Sequence, residues 1–215
     1  MSDGESILQD LRRSVETWDN ELMHTSVDKA LDMGMEPKVI VTEGLAKGMD
    51  AISDLFNDGK IFLPQVLAAS NTMDNALAIL EPMMVSDKSI YRGTVIMGSV
   101  RGDIHEIGKN VCCAMLRGAG YNVIDLGSDV SPEMFTEAAK EHSADVIGGS
   151  ALMTTTMVVQ KYIVEAVKQG RMTVLTIFGG APCSREWVDE IGGDGYSATG
   201  SEIVALVNRL ISEKE

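Results

Sequence analysis

Thr94-Val95-Ile96-Met97-Gly98-Ser99-Val100 is an apolar run that reads as a buried strand, and Gly102-Asp103-Ile104-His105-Glu106-Ile107-Gly108-Lys109-Asn110 follows it after a single residue. Val111 to Leu116 then reads as the start of a helix. This order puts an Asp and a His two residues apart on the loop that leaves the carboxyl end of a first strand. Open α/β sheets bind their ligands at that edge. The chain has three histidines, and one of them stands here with an acid beside it.

Downstream of this loop, short apolar runs alternate with helical patterns. Val123–Leu126 precedes a helix over Pro132–His142, Val146–Ser150 one from about Thr155 to Lys168, and Val174–Phe178 one over Arg185–Ile191. A fifth strand near Gly195–Ser197 precedes a last helix over Glu202–Ile211. Continuous apolar strands alternating with helices argue for an α/β fold with a doubly wound parallel sheet. Five strands favour the flavodoxin-like order, with its crevice outside the first and third strands.

Upstream, the period is helical throughout residues 1–84. Ile7, Leu8, Leu11 and Val15 mark a first helix, and Leu22, Met23, Val27 and Leu31 a second that ends at Gly34. Pro37 opens a third carrying Val39, Ile40, Leu45, Met49, Ile52, Leu55 and Phe56. After the turn Asn57-Asp58-Gly59, a fourth begins near Pro64 with Val66, Leu67, Met73, Leu77 and Leu80 before Pro82. Four helices with short connections predict a small all-α bundle. Residues 85–93 are polar and unpatterned and read as a linker, so the expected domains are 1–90, helical with its linker, and 91–215, α/β.

Composition narrows the function. The net charge is −14, with no basic stripe, which excludes binding to a phosphate backbone and hence nucleic acid. No apolar run reaches the roughly 18 residues of a membrane span. Three cysteines, two of them adjacent, form no disulfide framework, and the acidic amino terminus has no signal-peptide pattern. The expected location is cytoplasmic. His24 and His142 read as surface residues, the methionines as core, and Cys112 and Cys113 as buried rather than reactive.

Asp103-x-His105-x-x-Gly108, Ser150-x-Leu152 with Thr154, Thr155 and Thr156, and Gly179-Gly180 fall at the ends of the first, third and fourth strands. In a parallel sheet those ends share one edge. A neutral imidazole suits a borderline transition metal and is usually oriented by a carboxylate on its other nitrogen. One His is too few for a zinc site of protein groups alone. A metal here would take most of its coordination from a cofactor. The rival is phosphoryl-acceptor aspartate chemistry, but its acidic pair after the first strand and Lys after the fifth are missing. Thr154–Thr156 also fit a helix start, because Thr is a good N-cap.

The ordered set Asp-x-His-x-x-Gly, residues 109–149, Ser-x-Leu, residues 153–178, Gly-Gly resembles the cobalamin-binding signature of B12-dependent methyltransferases. Asp54-Leu55-Phe56-Asn57-Asp58-Gly59-Lys60-Ile61-Phe62-Leu63-Pro64-Gln65 is similar to the cap module of methionine synthase and of methylotrophic corrinoid proteins. The likeness runs from about residue 5 to 210. It implies that His105 is the lower cobalt ligand in place of the cofactor's benzimidazole. Asp103 would bond to His105, and Thr156 would support Asp103 with a hydroxyl where methionine synthase has a serine. Ser150, Leu152 and Thr154 would line the pocket of the displaced nucleotide tail, beside a backbone kept open at Gly179, Gly180 and Ala181. Gly102, Ile104 and Gly108 belong to the same cofactor-binding loop. From the cap, Phe56 and Leu63 match residues over the upper cobalt face and Glu43 a polar group near the corrin edge. By residue pattern alone, Phe56 and Leu63 read as bundle core.

The cofactor so implied is a cobalamin-type corrinoid whose cobalt cycles between methylcob(III)alamin and cob(I)alamin. Because the motifs span a cap and a cobalamin domain only, the resemblance implies a non-catalytic methyl carrier. Gly149–Thr156 and Phe178–Pro182 look most like the methylamine corrinoid proteins of methanogens, with monomethylamine favoured. The implied partners are a methylamine methyltransferase, a coenzyme M methyltransferase and a reductive activase. Methanol, glycine betaine and methoxyarene systems stay open, as do a mutase B12 subunit and a B12-sensing regulator.

Overall fold

The helical spacing of the amino-terminal residues is realised as helices whose apolar stripes face one another. In a computed structural model, residues 3–80, 83, 91–200 and 202–214 are described. α1 (Asp3–Glu16) buries Ile7, Leu11 and Val15. α2 (Asn20–Asp32) begins behind Asp19, whose carboxylate accepts from the Leu22 N–H at 2.9 Å, and it buries Met23, Val27 and Ala30. α5 (Leu63–Leu80) buries Val66, Ala69, Met73, Ala76 and Leu77. Leu67, expected in that stripe, is exposed, because consecutive helical positions point about 100° apart and Val66 already faces the core.

The single third helix expected from Pro37 is three segments. α3 (Pro37–Val39) passes into a π-helical stretch, Ile40–Leu45, and then into α4 (Ala46–Asn57). Ile40, Val41, Gly44 and Leu45 are the buried positions of the π stretch. Apolar residues spaced i, i+4 and i+5 suit a helix of either pitch, so the sequence pattern does not distinguish them. Gly44 and Gly48 let this run approach α1 closely. A Cβ on Gly48 would fall 2.7 Å from the Arg12 carbonyl oxygen.

Most of the expected linker 85–93, and Pro82, lie outside the described residues. The chain divides into two units, Met1–Arg92 with Arg117–Gly120, and Gly93–Leu116 with Tyr121–Glu215.

The second unit is the flavodoxin-like α/β domain. Its strands are β1 (Thr94–Ser99), β2 (Asn122–Asp125), β3 (Val146–Ser150), β4 (Leu175–Gly179) and β5 (Gly195–Tyr196). They form one parallel sheet in the order β2-β1-β3-β4-β5. The crossovers are α6 (Ile107–Gly118), α7 (Pro132–Glu141), α8 (Thr154–Gln169) and α9 (Arg185–Ile191), and α10 (Ile203–Lys214) follows β5. Ile96, Ile147, Phe135, Ile163 and Phe178 belong to one core cluster of this unit. The register sets Ser99 beside Ser150 and Ser150 beside Gly179. Three sequence-distant motifs are thereby brought abreast at one edge.

Candidate functional site

The histidine loop leaves β1 through a tight turn. The Asp103 N–H donates to the Val100 carbonyl at 2.9 Å, and Gly102 sits between them at φ +82°, the left-handed position of a type II turn. Asp129 pins this turn from the β2–α7 loop. Its carboxylate accepts from the Gly102 N–H at 2.7 Å, and its own N–H donates to the Asp103 carbonyl at 3.0 Å.

Asp103 is fully buried, and the fold surrounds it with donors. The Thr156 hydroxyl and the Leu152 N–H each donate to Oδ2 at 2.7 Å. The His105 N–H reaches Oδ1 at 3.1 Å, and His105 Nδ1 lies 2.8 Å from the same oxygen. Burial by itself would raise the carboxyl pKa, but these hydrogen bonds outweigh it and hold it at about 2. An ionised Asp103 accepts a hydrogen bond from the Nδ1–H. That leaves the Nε2 lone pair on the far side of the ring, in a side chain that is 47% exposed. The Ser99 hydroxyl fixes the loop from beneath, donating to the His105 carbonyl at 2.7 Å.

His105 stands on the wall of a cleft of about 610 Å3 that lies wholly within the α/β unit. Ile104, Gly108, Ser150, Leu152, Gly179, Gly180 and Ala181, all expected at the site, line it too. Ile104 and Leu152 are exposed apolar side chains on that wall. Gly180 has φ +121°, and a Cβ there would fall 1.8 Å from the Ala151 carbonyl oxygen, so only glycine fits. Nothing lies within 4 Å of where a Gly108 Cβ would stand, so the space in front of that backbone is open.

Asp103 and Thr156 are buried and Gly102 lies in the turn before them, and none of the three is on the cleft lining. Thr154 is exposed at the start of α8, off the cleft lining. No threonine caps that helix: Met153 is the N-cap residue, and Thr156 turns its hydroxyl to Asp103. In the helical unit, Glu43 pairs with Lys47 at 2.5 Å in the π stretch, and Phe56 and Leu63 are half-buried. His24 and His142 are exposed, and Cys113 is buried, but Cys112, expected buried with it, is half-buried and lines the cleft.

Sequence reasoning missed two features. Residues Tyr196–Gly200, from the last residue of β5 onward, complete the cleft wall. Their placement at a strand end was the available signal. Lys109 is the other. Its side chain is buried, Nζ lies 2.5 Å from both Asp125 carboxylate oxygens, and it donates to Asn110 Oδ1 at 2.7 Å. A cation in the first turn of a helix opposes the helix dipole, and that misplacement was the hint of a buried partner.

Among the described residues, no group of three or more His, Cys, Asp or Glu is arranged to hold a metal ion. The site offers one oriented imidazole beside a large, partly apolar cleft. That donor set fits a cobalt whose four equatorial nitrogens come from a corrin. No described helix is long and apolar enough to cross a membrane.

Two family models, each described as a B12 binding domain, match residues 93–206 and 7–81. Dimethylamine corrinoid protein 2 of Methanosarcina acetivorans is 40% identical over 217 residues, covering 100% of both chains. Trimethylamine corrinoid protein 1 of the same organism is 38% identical over 215 residues, covering 98% of this chain and 100% of the relative. Among solved structures, the methanol:cobalamin methyltransferase complex of Methanosarcina barkeri contains a chain similar to this one. The TM-score is 0.89 at 25% identity, over 99% of this chain and 81% of that one. With both B12-binding modules present and curated relatives matched end to end, the chain belongs to the corrinoid proteins of methyltransferase systems, whose cofactor is a cobalamin-type corrinoid with cobalt.

Proposed function

We propose that this chain carries a methyl group on a bound corrinoid between two methyltransferases and performs neither transfer reaction itself. The observation that carries the reading is the chain of contacts from Thr156 through Asp103 to His105, at 2.7 and 2.8 Å, ending at an outward imidazole on a cleft wall. When bound, the corrinoid supplies a cobalt that takes up a methyl group and gives it away again. His105 would hold the cobalt through Nε2. Asp103 fixes the ring tautomer and orientation, and Thr156 with the Leu152 N–H keeps the carboxylate in place. Ser150, Leu152 and the Gly179-Gly180-Ala181 backbone border the path of the nucleotide tail, with Thr154 near its mouth.

Residues 1–90, linker included, act as the cap and residues 91–215 as the carrier. With a corrinoid bound, Phe56 and Leu63 would keep water from the methyl group, and Glu43 would supply a polar contact to the corrin. The methyl donor is a methylamine, with monomethylamine as the specific expectation. The partners are the matching methylamine methyltransferase, a coenzyme M methyltransferase and a reductive activase, all in the cytoplasm. Near-full-length similarity to proteins named for dimethylamine and trimethylamine supports the class and leaves the number of methyl groups to experiment.

The test has two arms. His105→Ala in the corrinoid-loaded protein is expected to change the absorption spectrum of the cofactor, and an unchanged spectrum would falsify the ligand assignment. The loaded wild-type protein is then offered mono-, di- and trimethylamine, each with its own methyltransferase. Methylation with the monomethylamine enzyme is expected. Methylation only with another donor's enzyme overturns the donor, and demethylation by this chain alone overturns the carrier role.

A further inference from the structure

Gln160 is the one fully buried glutamine of the described residues, and it stands directly behind the glycine-rich wall of the cleft. It comes from the middle of α8, a position where a side-chain amide normally faces solvent. Its Nε2 donates to the carbonyl of Gly149 at 3.1 Å and to that of Gly179 at 3.2 Å. These carbonyls belong to the penultimate residue of β3 and the last residue of β4. Its Oε1 accepts from the Trp187 indole N–H at 2.9 Å, and the Cys183 thiol lies 3.2 Å from Nε2. One amide thus ties together two strand ends, the turn that follows β4, and α9.

The tie sits where the sheet stops holding itself together. The β3–β4 register ends at Ser150 and Gly179. Beyond it, the Gly179 carbonyl accepts from the Ala151 N–H at 3.1 Å, while Gly180 passes so close to the Ala151 carbonyl that no side chain fits. Ser150, Gly179, Gly180 and Ala181 line the cleft on one side of this crossing, and Gln160 grips it from behind. A buried amide with every strong donor and acceptor engaged has a single low-energy position. It therefore fixes the position of the two strand ends.

We infer that Gln160, braced by Trp187, is a positioning residue that holds the paired ends of β3 and β4 in the position where they form the cleft wall for the nucleotide tail of the corrinoid. The inference rests on the corrinoid reading of this cleft. It gives Gln160 a selective effect: the amide matters to a corrinoid that carries a nucleotide tail and not to the corrin ring held at His105.

Cobinamide is a corrinoid without the nucleotide, and it supplies the probe. The cofactor-free full-length chain is titrated with cobalamin and with cobinamide, and affinity is read from the absorption change. Gln160→Leu removes all of these hydrogen bonds and is expected to weaken cobalamin at least on the order of tenfold and to leave cobinamide within about twofold. Equal losses for both ligands overturn the inference, since a generally loosened domain would give that result. So does an unchanged affinity for both. If Gln160→Leu does not fold, Trp187→Phe removes a single donor to Oε1. It is expected to lower the cobalamin-to-cobinamide affinity ratio about threefold, and an unchanged ratio overturns the proposal. Failure of the corrinoid reading has another signature: a wild-type spectrum that His105→Ala leaves unchanged.

Discussion

The helical unit and the α/β unit bury the same apolar residue types and differ in how their buried polar groups are bonded. In the helical unit, two buried hydroxyls bond back to their own helix. The Ser14 hydroxyl donates to the Leu11 carbonyl at 2.6 Å, and that of Thr72 to the Ala68 carbonyl at 3.2 Å. In the α/β unit the Thr136 hydroxyl does the same, but others bond across elements. Thr156 reaches Asp103 from 53 residues away, and Lys109 reaches Asp125 across 16. Self-contained hydroxyls add little to specificity, because the helix would form without them. Cross-linked buried groups hold loops in one geometry and are costly to leave half-satisfied. The difference locates the chemistry: the unit whose buried polar groups tie distant loops together is the one with a built site.

The contrast can be broken most directly at Lys109. Lys109→Met leaves Asp125 without its cation and is expected to cost about 3 kcal/mol, the lower end for a broken buried pair, because the Asp125 side chain is 25% exposed and regains water. Urea unfolding measures it, and a loss no larger than that of a surface pair removes Lys109 from the framework. Leu11→Ala is the counterpart in the helical core. Leu11 is fully buried, so a loss of about 2–5 kcal/mol is expected, with the His105-dependent spectrum of the bound cofactor unchanged. A changed spectrum would show that the helical core also sets the imidazole geometry.

Thr156→Val sharpens the comparison at smaller scale. It removes one hydrogen bond to a charged carboxylate and is expected to cost about 1.5–3 kcal/mol in denaturant unfolding, with Thr156→Ser recovering most of it. A valine variant as stable as the serine one breaks the assignment of Thr156 as the support of Asp103. Cys112 gives a pH-dependent test. Burial pushes its thiol up to about 11, so the neutral form persists through the alkaline range. At pH 8 only about one thiol in a thousand is ionised, and alkylation mapped by peptide mass should be slow there and quicken as pH rises towards 11. Fast modification at pH 8 contradicts the buried environment. The smallest effect belongs to the helical surface. Arg12 and Glu16 pair at 2.7 Å in the open, and Arg12→Ala should change stability by less than about 1 kcal/mol in the same unfolding assay.

Most of the fold was legible because period carries it. Apolar runs such as Val146–Ser150 can bury themselves only as central strands, and the stripes of α1 and α2 only on a helix pair. The π stretch at Ile40–Leu45 was not legible, since its apolar spacing suits two helical pitches. Nor was the outward face of Leu67. At the site, Asp103, His105 and the glycines could be read from motif spacing, whereas Gln160, Lys109 and Asp129 could not. Each of these three is a common surface residue type, and its role exists only through a partner far along the chain.

By itself, the sequence determined the element order, the two-part organisation and the chemistry gathered at one sheet edge, because these depend on local periodicity and on the direction of parallel strands. The tertiary structure alone decided which polar groups are enclosed, and so how they behave. The Asp103 carboxyl is held at about 2 by four hydrogen bonds, two of them from Leu152 and Thr156. Hydrogen-bond partners and exclusion of water are properties of three-dimensional neighbours, which the order of residues does not list. The loop around His105 is therefore readable as a motif from sequence, but only the fold shows what holds it still.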